Sequence, residues 1–164
     1  MIVVYFAQQN YDAVHHESHV THKVQPFYDN IDTAFDDCKT LEKALSKYRI
    51  SEDDKHWNVW DVKFSVLEKY YKQIDEILNG NKDKNYLVIH LFACHGIHKN
   101  GTQYVVLNEY DDDTEFYKLF AAEDKIRNFA DTHPNSYQVS IFACCRDLFN
   151  AELMKGIPAL SNVE

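Results

Sequence analysis

The sequence predicts an α/β domain built on a mainly parallel sheet flanked by helices. Three observations carry that prediction. Two runs, Ile2-Val3-Val4-Tyr5-Phe6 and Tyr86 to Ala93, the second including a histidine, are apolar on both faces, as in strands covered on both sides. Between them stand two stretches with the apolar period of a helix. Strand-like and helix-like segments then alternate along the chain, the pattern of βαβ units rather than of a meander. The 164 residues are 45% hydrophobic and 14% aromatic with four glycines and three prolines, which supplies one domain, residues 1–164, and excludes a disordered chain.

Met1 to Ala7 is the first predicted strand. Gln8 to Asn30 is polar, without periodicity, and longer than an ordinary connection, so it is expected to be a functional loop. Asp29 or Asn30 is the predicted cap of the first helix. Ile31, Ala34, Phe35, Cys38, Leu41, Leu45 and Tyr48 form its buried face, and Asp32, Asp36, Asp37, Lys39, Glu42 and Lys43 its solvated one. After the charged turn Ser51 to Lys55, Trp57 to Val62 reads as a short strand. Val66, Leu67, Tyr70, Tyr71, Ile74, Ile77 and Leu78 make a second amphipathic helix closed by Gly80. Tyr70, Tyr71, Trp57 and Trp60 read as packing residues.

Tyr86 to Ala93 belongs in the middle of the sheet. Asn100-Gly101 turns the chain back into an extended segment, Thr102 to Asn108. The acidic stretch Glu109 to Glu115 leads to a helix around Ala121 to Asp131. Tyr137 to Ala143 is a further buried strand, and Leu148 to Lys155 a final short helix.

Charge excludes some partners. Twenty-six acidic residues against 17 basic ones give a net charge of −9, which argues against nucleic acid and anionic lipid. No stretch approaches the ~18 apolar residues of a membrane span. Cys38, Cys94, Cys144 and Cys145 do not have the spacing of a disulfide framework, and the N-terminus lacks a basic region and a small-residue cleavage site. A reducing, cytoplasmic compartment is expected.

Two predicted strands end in reactive residues, Cys94-His95-Gly96 and Cys144-Cys145-Arg146. In open α/β sheets, ligands sit beyond the carboxyl ends of the strands. If these two strands are neighbours, a thiol and an imidazole meet there. A thiol beside imidazole is held as thiolate, and the imidazolium then protonates a leaving amine. Gly96 lets the backbone approach a substrate carbonyl, and its N–H with that of the nucleophile would form an oxyanion hole.

His95 precedes Cys145 by 50 residues, the ~50-residue separation of histidine and nucleophile in caspases. Leu91-Phe92-Ala93-Cys94-His95-Gly96 resembles the Ser-His-Gly ending of the caspase histidine strand. Ser140-Ile141-Phe142-Ala143-Cys144-Cys145-Arg146 resembles the Gln-Ala-Cys-Arg-Gly nucleophile strand. The order of elements is also similar. Nearly the whole chain resembles the large-subunit half of a caspase, metacaspase or paracaspase domain, with a three-layer fold. The resemblance implies a cysteine endopeptidase with Cys145 as nucleophile, His95 as general acid–base, and Gly96 and Cys145 as oxyanion-hole donors. Cys144 is the alternative nucleophile, more naturally a small packing residue, and Cys94 stands where the family often has serine.

Departures fall close to this site. Ala143 stands where caspases have glutamine and metacaspases aspartate, Asp147 replaces a glycine, and Lys23 is the sole basic residue between Gln8 and Asn30. Neither acidic nor basic specificity carries over, so the substrate-binding residues are open. The sequence continues 19 residues beyond Cys145, so the small-subunit strands of the family are not expected in this chain. An open sheet edge then invites a small-subunit chain, a second copy or another assembly partner. Two other readings follow. One is an inactive pseudo-protease serving as an interaction or structural subunit. The other is a thiol sensor using Cys144 and Cys145.

Metal chemistry is a poorer fit. Adjacent Cys94-His95 and Cys144-Cys145 pairs each offer one ligand, because neighbouring strand residues face opposite ways. His15, His16, His19 and His22 read as a solvated loop, and no cofactor is expected. Asp111, Asp112 and Asp113 with Glu109 and Glu115 offer oxygen ligands, as calcium prefers, without the spacing of an EF-hand. A solvated acidic turn is the simpler reading.

Overall fold

A computed structural model describes residues 1–11, 28–48, 51–111, 116–144 and 147–148. The protein is α/β: a parallel four-stranded sheet, three helices, and a small, mostly antiparallel second sheet. The strands are β1 (Ile2–Ala7), β2 (Lys55–Trp60), β3 (Tyr86–Ala93), β4 (Gly96–Lys99), β5 (Thr102–Asp111), β6 (Phe116–Phe120), β7 (Ser136–Ala143) and β8 (Asp147–Leu148). The helices are α1 (Ala34–Leu45), α2 (Phe64–Gly80) and α3 (Ala122–Thr132). The main sheet has the order β2-β1-β3-β7, all parallel, and the second has the order β6-β5-β4-β8.

Strand alternation assigns the core residues to two sides of the main sheet. Ile2, Val4 and Phe6 of β1 join Val88 and Phe92 of β3 against Leu67, Tyr71, Ile74 and Leu78 of α2 and Ile126 and Phe129 of α3. Val3, Tyr5 and Ala7 join Ile89 and Leu91 against Ala34 and Cys38 of α1. Every residue of β1 is buried, as its unbroken apolar run requires. β3 lies between β1 and β7, as the Tyr86–Ala93 pattern predicts.

Several expectations are corrected. Neither Asp29 nor Asn30 caps the first helix: α1 begins after Thr33, because Asn30 Oδ1 accepts the Tyr11 N–H at 2.7 Å and the Asp29 carbonyl is drawn to His95. Helix α2 ends at Gly80, and the next residue, Asn81, has φ −136, so no left-handed glycine closes it. Its first N–H, that of Phe64, is accepted by Glu109 Oε2 at 2.7 Å, a cap supplied by a distant strand. The acidic stretch is partly β5, and the chain re-enters the second sheet through β6 before α3. The hairpin β4–β5 turns at Asn100 (φ 50) and Gly101 (φ 77), both left-handed, as Asn-Gly predicts.

β7 is not a buried strand. It ends the sheet, and Phe142 and Cys144 pack inward while Tyr137, Val139 and Ile141 are 70%, 42% and 39% exposed. No strand pairs beyond it among the described residues. Leu148 belongs to β8, paired with His98 of β4, rather than to a helix. The rest of that expected helix lies outside the described residues. Among the described residues no helix is long and apolar enough to cross a membrane.

Candidate functional site at the ends of β3 and β7

β3 and β7 run parallel in direct register, from Tyr86 opposite Ser136 to Ala93 opposite Ala143. One residue further, Cys94 and Cys144 meet in one core cluster, close enough for the Cys144 thiol to help push that of Cys94 upward. His95 and Gly96 follow on one strand. Cys145, the expected nucleophile, follows Cys144 on the other and lies outside the described residues, as does Arg146. The sheet therefore brings the two strand ends side by side at Cys94 and Cys144.

His95 is held on every side. Its backbone N–H donates to the Tyr11 hydroxyl at 3.0 Å, and its carbonyl accepts the Val106 N–H at 3.0 Å. Its ring lies 4.6 Å from that of Tyr28 and 4.9 Å from that of Tyr11, centroid to centroid. Its Nε2 is 2.8 Å from the Asp29 carbonyl oxygen. A carbonyl only accepts, so Nε2 carries the proton, and Nδ1 of the neutral ring is the acceptor nitrogen. Gly96, buried at the start of β4, adjoins this ring along the chain.

Tyr11 organises the assembly. Its hydroxyl accepts from His95 and donates to the Val106 carbonyl at 3.2 Å, tying the end of β3 to β5. Its ring packs with Tyr28 and Tyr117 in a cluster with Ile97 and Val106. Burial pushes its phenol well above the usual range, so it stays protonated and can donate. The chain reaches Tyr11 through Asp61, which follows β2 with φ 45. Asp61 Oδ1 accepts from Gln8 Nε2 at 2.8 Å and from the Gln9 and Asn10 N–H groups at 2.7 and 3.1 Å. Its Oδ2 accepts from Asn10 Nδ2. A non-glycine residue in the left-handed region is over-determined by its surroundings, and here four hydrogen bonds to one carboxylate do it.

Sequence reasoning finds His95, Gly96 and the cysteines but misses Asp29, Tyr11, Tyr28 and Asp61. Two tyrosines at either end of an otherwise polar loop are the one available signal. Cys144 packs against the core, as expected of a small packing residue, and the Gln103 Nε2 group donates to its sulfur at 3.8 Å. Cys94 is 3% exposed, and burial together with the Cys144 contact raises its thiol well above the ordinary range. Cys38 donates to the Phe6 carbonyl at 3.6 Å, with its thiol pushed up to about 12 by burial.

No group of three metal-ligating side chains gathers among the described residues. The histidines from His15 to His22, and Asp112 and Asp113 with Glu115, lie outside them. Glu109 is engaged with Phe64 and, at 3.8 Å, with Lys118. The chain matches no protein-family model and no curated protein.

Proposed function

We propose that the chain is a caspase-like cysteine endopeptidase, the large-subunit portion of a three-layer caspase-like domain. The observation that carries this reading is the alignment of the ends of β3 and β7 at Cys94 and Cys144. His95 and Cys145 each follow these residues by one in the sequence, which supports pairing them.

In this reading Cys145 Sγ attacks the peptide carbonyl, and the Gly96 and Cys145 N–H groups receive the oxyanion. His95 holds its Nε2 proton on the Asp29 carbonyl and uses Nδ1 to carry the proton from the thiol to the leaving amine. A water then loses a proton to the imidazole, attacks the thioester and releases the acid. The edge of β7, unpaired among the described residues and with Tyr137, Val139 and Ile141 exposed beside it, is in this reading the seat of a small-subunit chain or a second copy.

The test is a peptide library incubated with the chain, with its partner chain where one co-purifies. New amino termini are expected from the native sequence and none from Cys145→Ala, whereas Cys144→Ala retains cleavage. Full cleavage by Cys145→Ala refutes the assignment.

The same exposed stripe on β7 favours a second reading, an inactive pseudo-protease serving as an interaction or structural subunit. Its signature is a stable assembly by native mass that survives Cys145→Ala, with no cleavage by either form.

A further inference from the structure

We propose that Cys94 and Cys144 form a redox dithiol, which a low-molecular-weight disulfide converts into a reversible bridge between the ends of β3 and β7. The proposal stands on the pairing of the two strands and does not depend on peptidase activity.

The geometry is specific to this pair. Cys94 and Cys144 each lie one residue beyond the register pair Ala93–Ala143 and face the same core cluster as Phe6 and Phe92, close enough for the Cys144 thiol to raise that of Cys94. Neighbouring strands are ~4.8 Å apart, within the Cα separation of ~4.4–6.8 Å that a disulfide spans. A bridge between the adjacent Cys144 and Cys145 is disfavoured because sequence neighbours rarely reach disulfide geometry without strain.

The two thiols are unequal, and the difference assigns their roles. Cys144 is partly exposed, within reach of a small disulfide, and accepts from the Gln103 amide at 3.8 Å. Cys94 is buried, and its thiol is hard to ionise. Cys144 thiolate therefore attacks the small disulfide, forms a mixed disulfide and releases one thiol. Cys94 then gives up its proton to solvent or to the released thiolate and attacks the Cys144 sulfur, expelling the second thiol. The protein loses two electrons and two protons, and one disulfide is reduced to two thiols. The bridge sits one residue before both His95 and Cys145, so it fixes the two strand ends on which any chemistry at this site depends.

The experiment treats the whole chain with oxidised glutathione, quenches with acid and maps the tryptic peptides without reduction. The expected product is Asn85–Lys99 joined to Asn128–Arg146, two hydrogens lighter than the separate peptides and released by dithiothreitol. Fragmentation between Cys144 and Cys145 assigns the bridged sulfur in the native sequence, so no variant has to fold for the result to count. Cys145→Ser should keep the bridge, and Cys94→Ser should lose it and accumulate a glutathione adduct on Cys144. A bridge assigned to Cys145, or glutathione adducts with no bridge in the native chain, overturns the proposal.

Discussion

Replacing His95 by alanine is expected to lower peptide turnover ~10³-fold, the middle of the range for loss of a positioned general acid–base. The comparison that gives this result meaning is His95→Gln. A glutamine amide can still donate to the Asp29 carbonyl and fill the space beside Tyr28, but it cannot take a proton from a thiol. If His95 only braces the end of β3, His95→Gln should recover most of the activity. If it transfers protons, both variants are equally slow, with kcat reduced and KM little changed. The structural side of the same experiment is a thermal melt. The contacts that locate the strand end, Tyr11 with the His95 N–H and Val106 with its carbonyl, are made to backbone and survive both substitutions.

A second large effect is expected from acid. His90, wholly buried in the middle strand β3, accepts or donates at both ring nitrogens, with Tyr71 Oη at 3.3 Å from Nδ1 and Gln138 Oε1 at 2.8 Å from Nε2. The Gln138 oxygen only accepts, so Nε2 carries the proton and the neutral ring accepts from Tyr71 at Nδ1. Tyr71 of α2 and Gln138 of β7 are thus both satisfied by the neutral form. Burial lowers the pKa of His90 from 6.5 to about 4, against the smaller opposing effect of Gln138.

The sign follows from the depressed value. Above pH 6.5 neither state binds the proton and the stability is fully present. Below that, the unfolded chain takes up a proton that the folded one refuses, until the folded ring titrates near 4. The loss over this window is ~3 kcal/mol, each tenfold change in proton affinity being worth ~1.4 kcal/mol. Denaturant titrations at pH 7, 5.5 and 4.5 should show it as a falling midpoint. His90→Gln, less stable at neutral pH, should fall much less. Parallel curves for the two proteins would show that His90 does not govern the acid response, leaving surface carboxylates to do so.

How much was legible in the sequence depends on whether side chains or backbone carry the information. β1 is an unbroken apolar run and β3 one interrupted only by His90, with no plausible place except a sheet covered on both faces. The ends of β3 and β7 could be named as a site because reactive residues follow apolar strands. β4 is hidden because Gly96-Ile97-His98-Lys99 has no intrinsic strand preference; its pairing with β5 makes it one. β6 is hidden behind an acidic stretch that reads as a turn.

The exposure of β7 escapes pattern reading because Tyr137, Val139 and Ile141 are as apolar as buried residues, and only the strand order shows that they lie at an edge. Asp29 contributes a carbonyl, which every residue has, so no side-chain pattern marks it. Asp61 is legible only as one more acidic turn residue. Its role comes from a left-handed backbone and the polar groups of Gln8, Gln9 and Asn10, 51 to 53 residues away in sequence.

The central claim is that Cys145 is a thiol activated by His95, and the most direct measurement needs no knowledge of the substrate. Limiting iodoacetamide at neutral pH, followed by peptide mapping, ranks the cysteines by rate. Cys145 should be labelled first, far ahead of Cys38 and Cys94, whose thiols burial raises, and His95→Ala should remove most of that lead. A Cys145 that reacts no faster than an ordinary exposed thiol, or whose rate does not change when His95 is replaced, contradicts the account.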